Sequence, residues 1–271
     1  MKKYRKNMCY FFILMLLVGI SGCGTKSVNN KVEDKVVNID TKGEEPTLLV
    51  YCGAGLKKPM NEIANIFGDT HKVKVEYILG GSAQLLSQIE LSKKGDILIV
   101  GSEDSYNVAI DKGLVLPSQL VAYHIPIIGV PKGNPANIKS LKDMTKPGIK
   151  VILGDEKANA IGKAAQRIIK KSGLDSINDN VVAKTATVNE LGVHLKMSDA
   201  DVAIITKDLA TQIEEIETIE IPKEVNSVET IPIGALKNSK NINLANEFVT
   251  FVSSAEGKLI FEKYGFPPVS N

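Results

Sequence analysis

Five times along this chain an apolar run ends in small or hydroxyl-bearing residues and a helical pattern starts again. The turns are Gly53-Ala54-Gly55, Gly80-Gly81-Ser82, Gly101-Ser102, Gly154-Asp155 and the stretch around Thr206. A helix start leaves backbone N–H groups unpaired and carries the positive end of the helix dipole. Glycine lets the backbone approach a ligand closely, and serine adds a hydroxyl donor. Several such turns at the carboxyl edge of one sheet make an anion site that needs no cationic side chain. Ser82 is the residue to which this logic applies most directly, although a serine there can also serve as the cap of its own helix.

Other chemistries find less support. His71, His124 and His194 stand alone, without the close His or Cys spacing of a zinc site, and each reads as a surface or packed histidine. Gly80-Gly81-Ser82-Ala83-Gln84 has part of a nucleophile elbow but lacks the closing glycine, and no His/Asp pair is marked out as a relay. Phosphate-binding P-loop and dinucleotide-binding glycine patterns do not occur. The chain therefore reads as a binding protein, not an enzyme, with neither metal nor cofactor.

The elements that must position these turns follow from periodicity. Residues 48–52 form a short apolar run, a buried strand. Leu56, Met60, Ile63, Ala64 and Phe67 recur at helical spacing. A strand over 73–79, a helix carrying Leu85, Leu86 and Ile89, and a strand over 97–100 follow. The second stretch repeats this alternation, with a strand over 150–153, a helix over 161–171, a short β-like piece at 181–184 and a strand over 201–205. Helices over 242–253 and 255–264 close the chain. Strands alternating with helices predict an α/β fold with mostly parallel sheets. Residues 123–129 and 228–234 both carry Ile-Pro-Ile before a glycine, and proline confines a strand to an edge or a crossing. They are expected to be the two connections between lobes that close like a hinged clamp.

At the N-terminus, Lys2, Lys3, Arg5 and Lys6 precede an apolar run over 8–20 that ends in Ser21-Gly22-Cys23. This is the layout of a secretory signal, and the final cysteine resembles the lipobox of bacterial lipoproteins. The apolar run is short against the roughly 20 residues of a spanning helix. Residues 1–22 are then a signal and 23–46 a lipidated start and flexible tether. Cys23 becomes the membrane attachment, on the extracytoplasmic face. Losing those four basic residues lowers Lys+Arg from 33 to 29 against 31 acidic residues, so the net charge moves from +2 to −2 and no nucleic-acid partner is indicated. Only Cys23 and Cys52 remain, which excludes a disulfide framework if Cys23 is lipidated. The remaining length of about 250 residues is ample for two lobes.

Several segments, taken in order, resemble the molybdate-binding receptors of ABC importers. They are 49–59, Gly80-Gly81-Ser82-Ala83-Gln84-Leu85 with Gln88-Ile89, Val130-Pro131-Lys132-Gly133-Asn134-Pro135, Gly154-Asp155 with Ile161-Gly162-Lys163, and Tyr264-Gly265-Phe266-Pro267. The resemblance implies a two-lobed periplasmic-binding-protein-like fold of the second type, with an oxyanion in the cleft. Lobe 1 would hold 47–122 and 228–271, and lobe 2 would hold 123–227. It further implies that molybdate or tungstate is held by neutral donors: the Ser82 hydroxyl and the backbone N–H groups of Ile161 and Val188. Two positions depart from the pattern. Gly55 stands where the family has a serine, and Thr206 where it has a tyrosine; Ser102 and Lys57 are candidate replacements. The implied partners are an ABC permease and its ATPase, with the receptor a monomer. Other anions (sulfate, thiosulfate or phosphate) are alternatives. So is a sensor or interaction lipoprotein that reuses the fold. Protonated phosphate would need an acceptor, for which Asp155 is the nearby residue.

Overall fold

The computed structural model describes residues 46–269; the signal segment, Cys23 and nearly all of the tether lie outside them. Two five-stranded sheets carry the fold. The first has the order β2-β1-β3-β10-β4 and the second β7-β6-β8-β5-β9.

In the first sheet, β1 (Thr47–Gly53) pairs in parallel with β2 (Lys74–Gly80) and β3 (Ile97–Ile99). β10 (Glu229–Ala235) lies antiparallel to both β3 and β4 (Gln119–His124). Because β1 is central, both of its faces are buried, which is why it reads as a continuous apolar run and not an alternating one. Leu48, Val50 and Cys52 pack with residues of α1 (Lys57–His71), α7 (Ile242–Ser253) and α8 (Ala255–Lys263). Tyr51 packs on the other side with residues of α2 (Ser82–Ser92) and α3 (Glu103–Asp111).

The second sheet repeats the plan. β6 (Val151–Gly154) is parallel to β7 (Val181–Thr185) and β8 (Val202–Thr206). β5 (Pro126–Pro131) is antiparallel to β8 and to β9 (Ile216–Ile219). Its core takes the apolar stripe of α4 (Ala160–Ser172), where Ile161, Ala164, Ala165, Ile168 and Ile169 recur at helical spacing. Gly173 ends α4 at φ +67°, a left-handed position that glycine adopts without strain. α5 (Val188–Lys196) and the short α6 (Lys207–Thr211) complete this lobe.

The expectation of mostly parallel sheets needs refinement. In each sheet four strands point the same way and one is reversed, so two of the four ladders are antiparallel. The reversed strands are β5 and β10, by which the chain enters each lobe from the other. A strand entering from the shared side must run away from it, whereas the others run toward it. The chain leaves the first sheet at Ile125, between β4 and β5, and returns through 220–228. Tyr123 and His124, assigned from sequence to the second lobe, pair with Thr230 and Glu229 in the first sheet. Pro126 opens its strand, and Pro232 sits at a register shift in β10, two places where a missing N–H is tolerated. The side chain of Asn226 donates to the Pro126 carbonyl at 3.0 Å and ties the two connections together.

Candidate functional site

The carboxyl ends of four strands of the first sheet meet two helix starts of the second around a cavity of about 40 Å³. From the first lobe come Gly53 to Leu56 after β1, Gly80 to Ser82 after β2, Gly101 after β3 and His124 at the end of β4. From the second come Asn159 to Ile161 after β6 and Thr187-Val188 after β7. A water needs roughly 10–15 Å³, so the cavity is of the size of a few waters.

The walls are rich in backbone donors. No side chain caps the turn Ala54–Leu56, α2 or α5, so apart from the Ala83 N–H, which donates to the Ala158 carbonyl, their first N–H groups are open to solvent or to a ligand. In α4 the Asn159 side chain takes only the Gly162 N–H, at 2.8 Å. Ser82 is the first residue of α2, not its cap, and is 6% exposed. Its hydroxyl has no hydrogen bond to another described residue. Among the described residues, no lysine, arginine or carboxylate lines the cavity. Asp155 is not in its wall and instead accepts the Lys157 N–H at 2.8 Å.

Of the positions singled out in the sequence, Gly55, Ser82, Ile161 and Val188 are brought together here. A Cβ on Gly55 would lie 2.7 Å from Val188 Cγ1, so the valine fills the space that a side chain at 55 would need. Thr206 is not part of the lining. It ends β8, the neighbour of β6 on the side away from β7, and is 1% exposed behind the wall. The suggested replacements are occupied elsewhere. The Ser102 hydroxyl caps α3 through the Ser105 N–H and reaches the Ser105 hydroxyl at 2.9 Å. Lys57 is exposed on the surface of α1. Cys52 is buried, which pushes its thiol well above the usual range and makes it inert packing.

Sequence reasoning missed His124. It is 7% exposed and in the cavity wall, and its Nδ1 donates to the Gly101 carbonyl at 3.0 Å. Its Nε2 lies 3.5 Å from Asp208 Oδ1 in α6. Burial pushes the Asp208 carboxyl above the usual carboxylate range, opposed by the nearby His124. A lone histidine carries no spacing signal, and only the strand that ends beside Gly101 reveals its place.

The lobes meet closely around the cavity. Ala83 N–H donates to the Ala158 carbonyl at 3.1 Å, and the Asn189 side chain donates to the Ala54 carbonyl at 3.0 Å. Arg167 in α4 reaches Asp104 in α3 at 2.7 Å, the Ser227 hydroxyl at 2.9 Å, and Glu229 in β10.

The family described as bacterial extracellular solute-binding protein matches residues 48–267. The chain belongs to that family. A Haemophilus influenzae protein, named as a candidate binding protein with no ligand stated, is 32% identical over 225 residues, covering 82% of this chain and 91% of its own length. The molybdate-binding protein ModA of Mycobacterium tuberculosis is 24% identical over 256 residues, covering 93% of this chain and 94% of its own. Among solved structures, the sulfate-binding protein SubI of Mycobacterium tuberculosis superposes with a TM-score of 0.76 at 18% identity, covering 83% of this chain and 88% of that one. The two-lobed, periplasmic-binding-protein-like α/β fold is thus shared with known solute-binding proteins. The helix starts converge in the cleft between the lobes, and clefts between domains are where ligand sites of proteins commonly lie.

Proposed function

We propose that this protein captures a fully deprotonated tetrahedral oxyanion, molybdate or tungstate, and hands it to an ABC permease driven by an ATPase. One observation carries the reading: a cavity of about 40 Å³ walled by uncapped helix starts and the unpartnered Ser82 hydroxyl, with neither lysine, arginine nor carboxylate among the described residues that line it. Such a wall is rich in donors and offers no carboxylate to take the O–H of a protonated anion, so it favours a fully deprotonated one. Gly55, Ile161 and Val188 give backbone N–H groups and Ser82 its hydroxyl. Closure of the lobes completes the ring of donors. Cys23 anchors the receptor to the membrane, and residues 24–46 form the leash that keeps it near its permease.

The small cavity also suits sulfate, a second reading that the same experiment separates. The full chain is titrated with molybdate, tungstate, sulfate and phosphate while thermal unfolding is followed. Ligand at 100-fold excess over its Kd stabilises by about 2.7 kcal/mol. A shift with molybdate or tungstate is the expected result. A shift with sulfate alone rules out the metal-oxyanion reading, and no shift with any tetrahedral anion rules out the oxyanion receptor.

A further inference from the structure

We propose that His124 is the charge-bearing, specificity-determining group of the anion cavity. Its imidazolium, held between the Gly101 carbonyl and the Asp208 carboxylate, sets the affinity for dianions. This inference rests on the oxyanion reading above and deepens it.

The geometry restricts where protons can sit. A carbonyl only accepts, so the 3.0 Å contact to Gly101 places a hydrogen on Nδ1. Nε2 then faces a second acceptor, Asp208 Oδ1, at 3.5 Å. Neither Nε2 nor Asp208 Oδ2 finds a hydrogen bond among the described residues, nor does the neighbouring Thr206 hydroxyl. One further proton between ring and carboxyl serves both groups, and an ion pair forms when it sits on the ring.

Two carboxyl groups lie against the ring and favour that state when ionised, against the burial that pushes both above the usual carboxylate range. Asp208 approaches from α6, and Glu229 stands opposite His124 in the β4–β10 ladder. Arg167 lies beyond Glu229 and neutralises it in part. The remaining neighbours are uncharged: the Phe266 ring at 5.9 Å, the Gly101 backbone and Ala160. The ring is in the cavity wall, whereas Asp208 is not. An anion in the cavity is therefore nearer the positive than the negative member of the pair. It draws the shared proton toward the imidazole, and by linkage the protonated ring holds the anion more tightly.

The chemical consequence is a preference based on charge. Fixed N–H groups reward shape, whereas an imidazolium rewards each unit of negative charge on the ligand. Loss of the shared proton removes that reward, so affinity should fall as pH rises. The effect requires no other cation in the wall, and among the described residues there is none.

The test measures Kd for molybdate and for sulfate on the full chain by calorimetry, from about pH 6 to 8.5, in buffers of different ionisation enthalpy. Both anions stay fully deprotonated throughout. Wild type is expected to lose about tenfold in affinity across the range and to take up a fraction of a proton on binding. His124→Gln keeps a donor toward Gly101 but cannot charge. It should bind about tenfold more weakly at the acid end, with a flat pH profile and no proton uptake. Asp208→Asn removes the carboxylate charge that draws the second proton onto the ring and should flatten the profile as well; it serves if the histidine variant fails to fold. Tight binding by wild type with no pH dependence and no proton uptake overturns the role of His124 and leaves the receptor reading intact. Failure of wild type to bind any tetrahedral anion at any pH overturns the receptor reading, and this inference with it.

Discussion

Gly81 offers a way to test lobe closure without touching a ligand donor. A Cβ built there would lie 2.6 Å from the Ala186 carbonyl oxygen and 2.8 Å from that of Ala158, both backbone atoms of the opposite lobe. Ordinary contact begins at 3.4 Å, so Ala186 must retreat by 0.8 Å. Backbone carbonyls at the start of a packed helix do not yield by rotating, so the lobes themselves must stand apart. Overpacking of this kind costs about 1–3 kcal/mol, and the whole cost falls on the closed form. At 1.4 kcal/mol per decade, Gly81→Ala should weaken anion binding by about 5- to 150-fold. The backbone at Gly81, φ −72° and ψ 153°, suits alanine, so the unliganded protein should hold its melting temperature or gain slightly, by about 0.4–1 kcal/mol through the unfolded chain. Calorimetric titration gives the affinity, and thermal unfolding without ligand gives the stability. A Kd within twofold of wild type refutes closure at this contact. A drop in unliganded stability shows that the clash exists in the resting form, and refutes the idea that the lobes separate there.

Three further outcomes are expected. Ser82→Ala removes a hydroxyl with no internal partner, so affinity should fall by about 1–3 kcal/mol while unliganded stability moves by less than about 0.5 kcal/mol; titration and thermal unfolding read the two. Gly55→Ser pushes into Val188 Cγ1 and should weaken binding, whereas Gly55→Ser with Val188→Ala should recover it, and the coupling appears in a double-mutant cycle of Kd values. Asp143 is pushed down to about 2 by its bond to the Lys146 ammonium and by the Lys139 N–H. A depressed carboxyl contributes stability above its unfolded pKa of about 3.9, and loses it as pH falls toward 2. Acid unfolding of Asp143→Asn should lack that part of the pH dependence.

Much of the fold was legible because central strands and amphipathic helices leave strong patterns. The run over 48–52 became β1, and the helix over 242–253 matches α7 residue for residue. The reversed strands β5 and β10 were not legible as reversed, because strand direction leaves no mark on composition. The repeated Ile-Pro-Ile suggested crossings, but only the first lies at one; the second lies inside β10, past the return segment. In the site, glycine and serine at strand ends carried the signal for Gly55 and Ser82, since close approach demands small residues. Thr206 also ends a strand, yet the order of strands sets it behind the wall. His124 was invisible because its neighbours Gly101 and Asp208 are brought to it from two other elements, the turn after β3 and α6.

The reversed strand in each sheet also bears on how the chain reaches its native state. The second lobe is one continuous stretch, 126–219, and closes its sheet from local material. The first lobe has β3 and β4 early but must wait for β10, more than a hundred residues after β4 in sequence, to fill the gap between them. Until then both carry unpaired backbone edges, the surfaces most open to wrong pairing. Long-range pairing of this kind is slow, so the order of assembly is written into the topology. The lobe in the middle of the chain can settle first, and the lobe at its ends is finished last, when β10 slides into place.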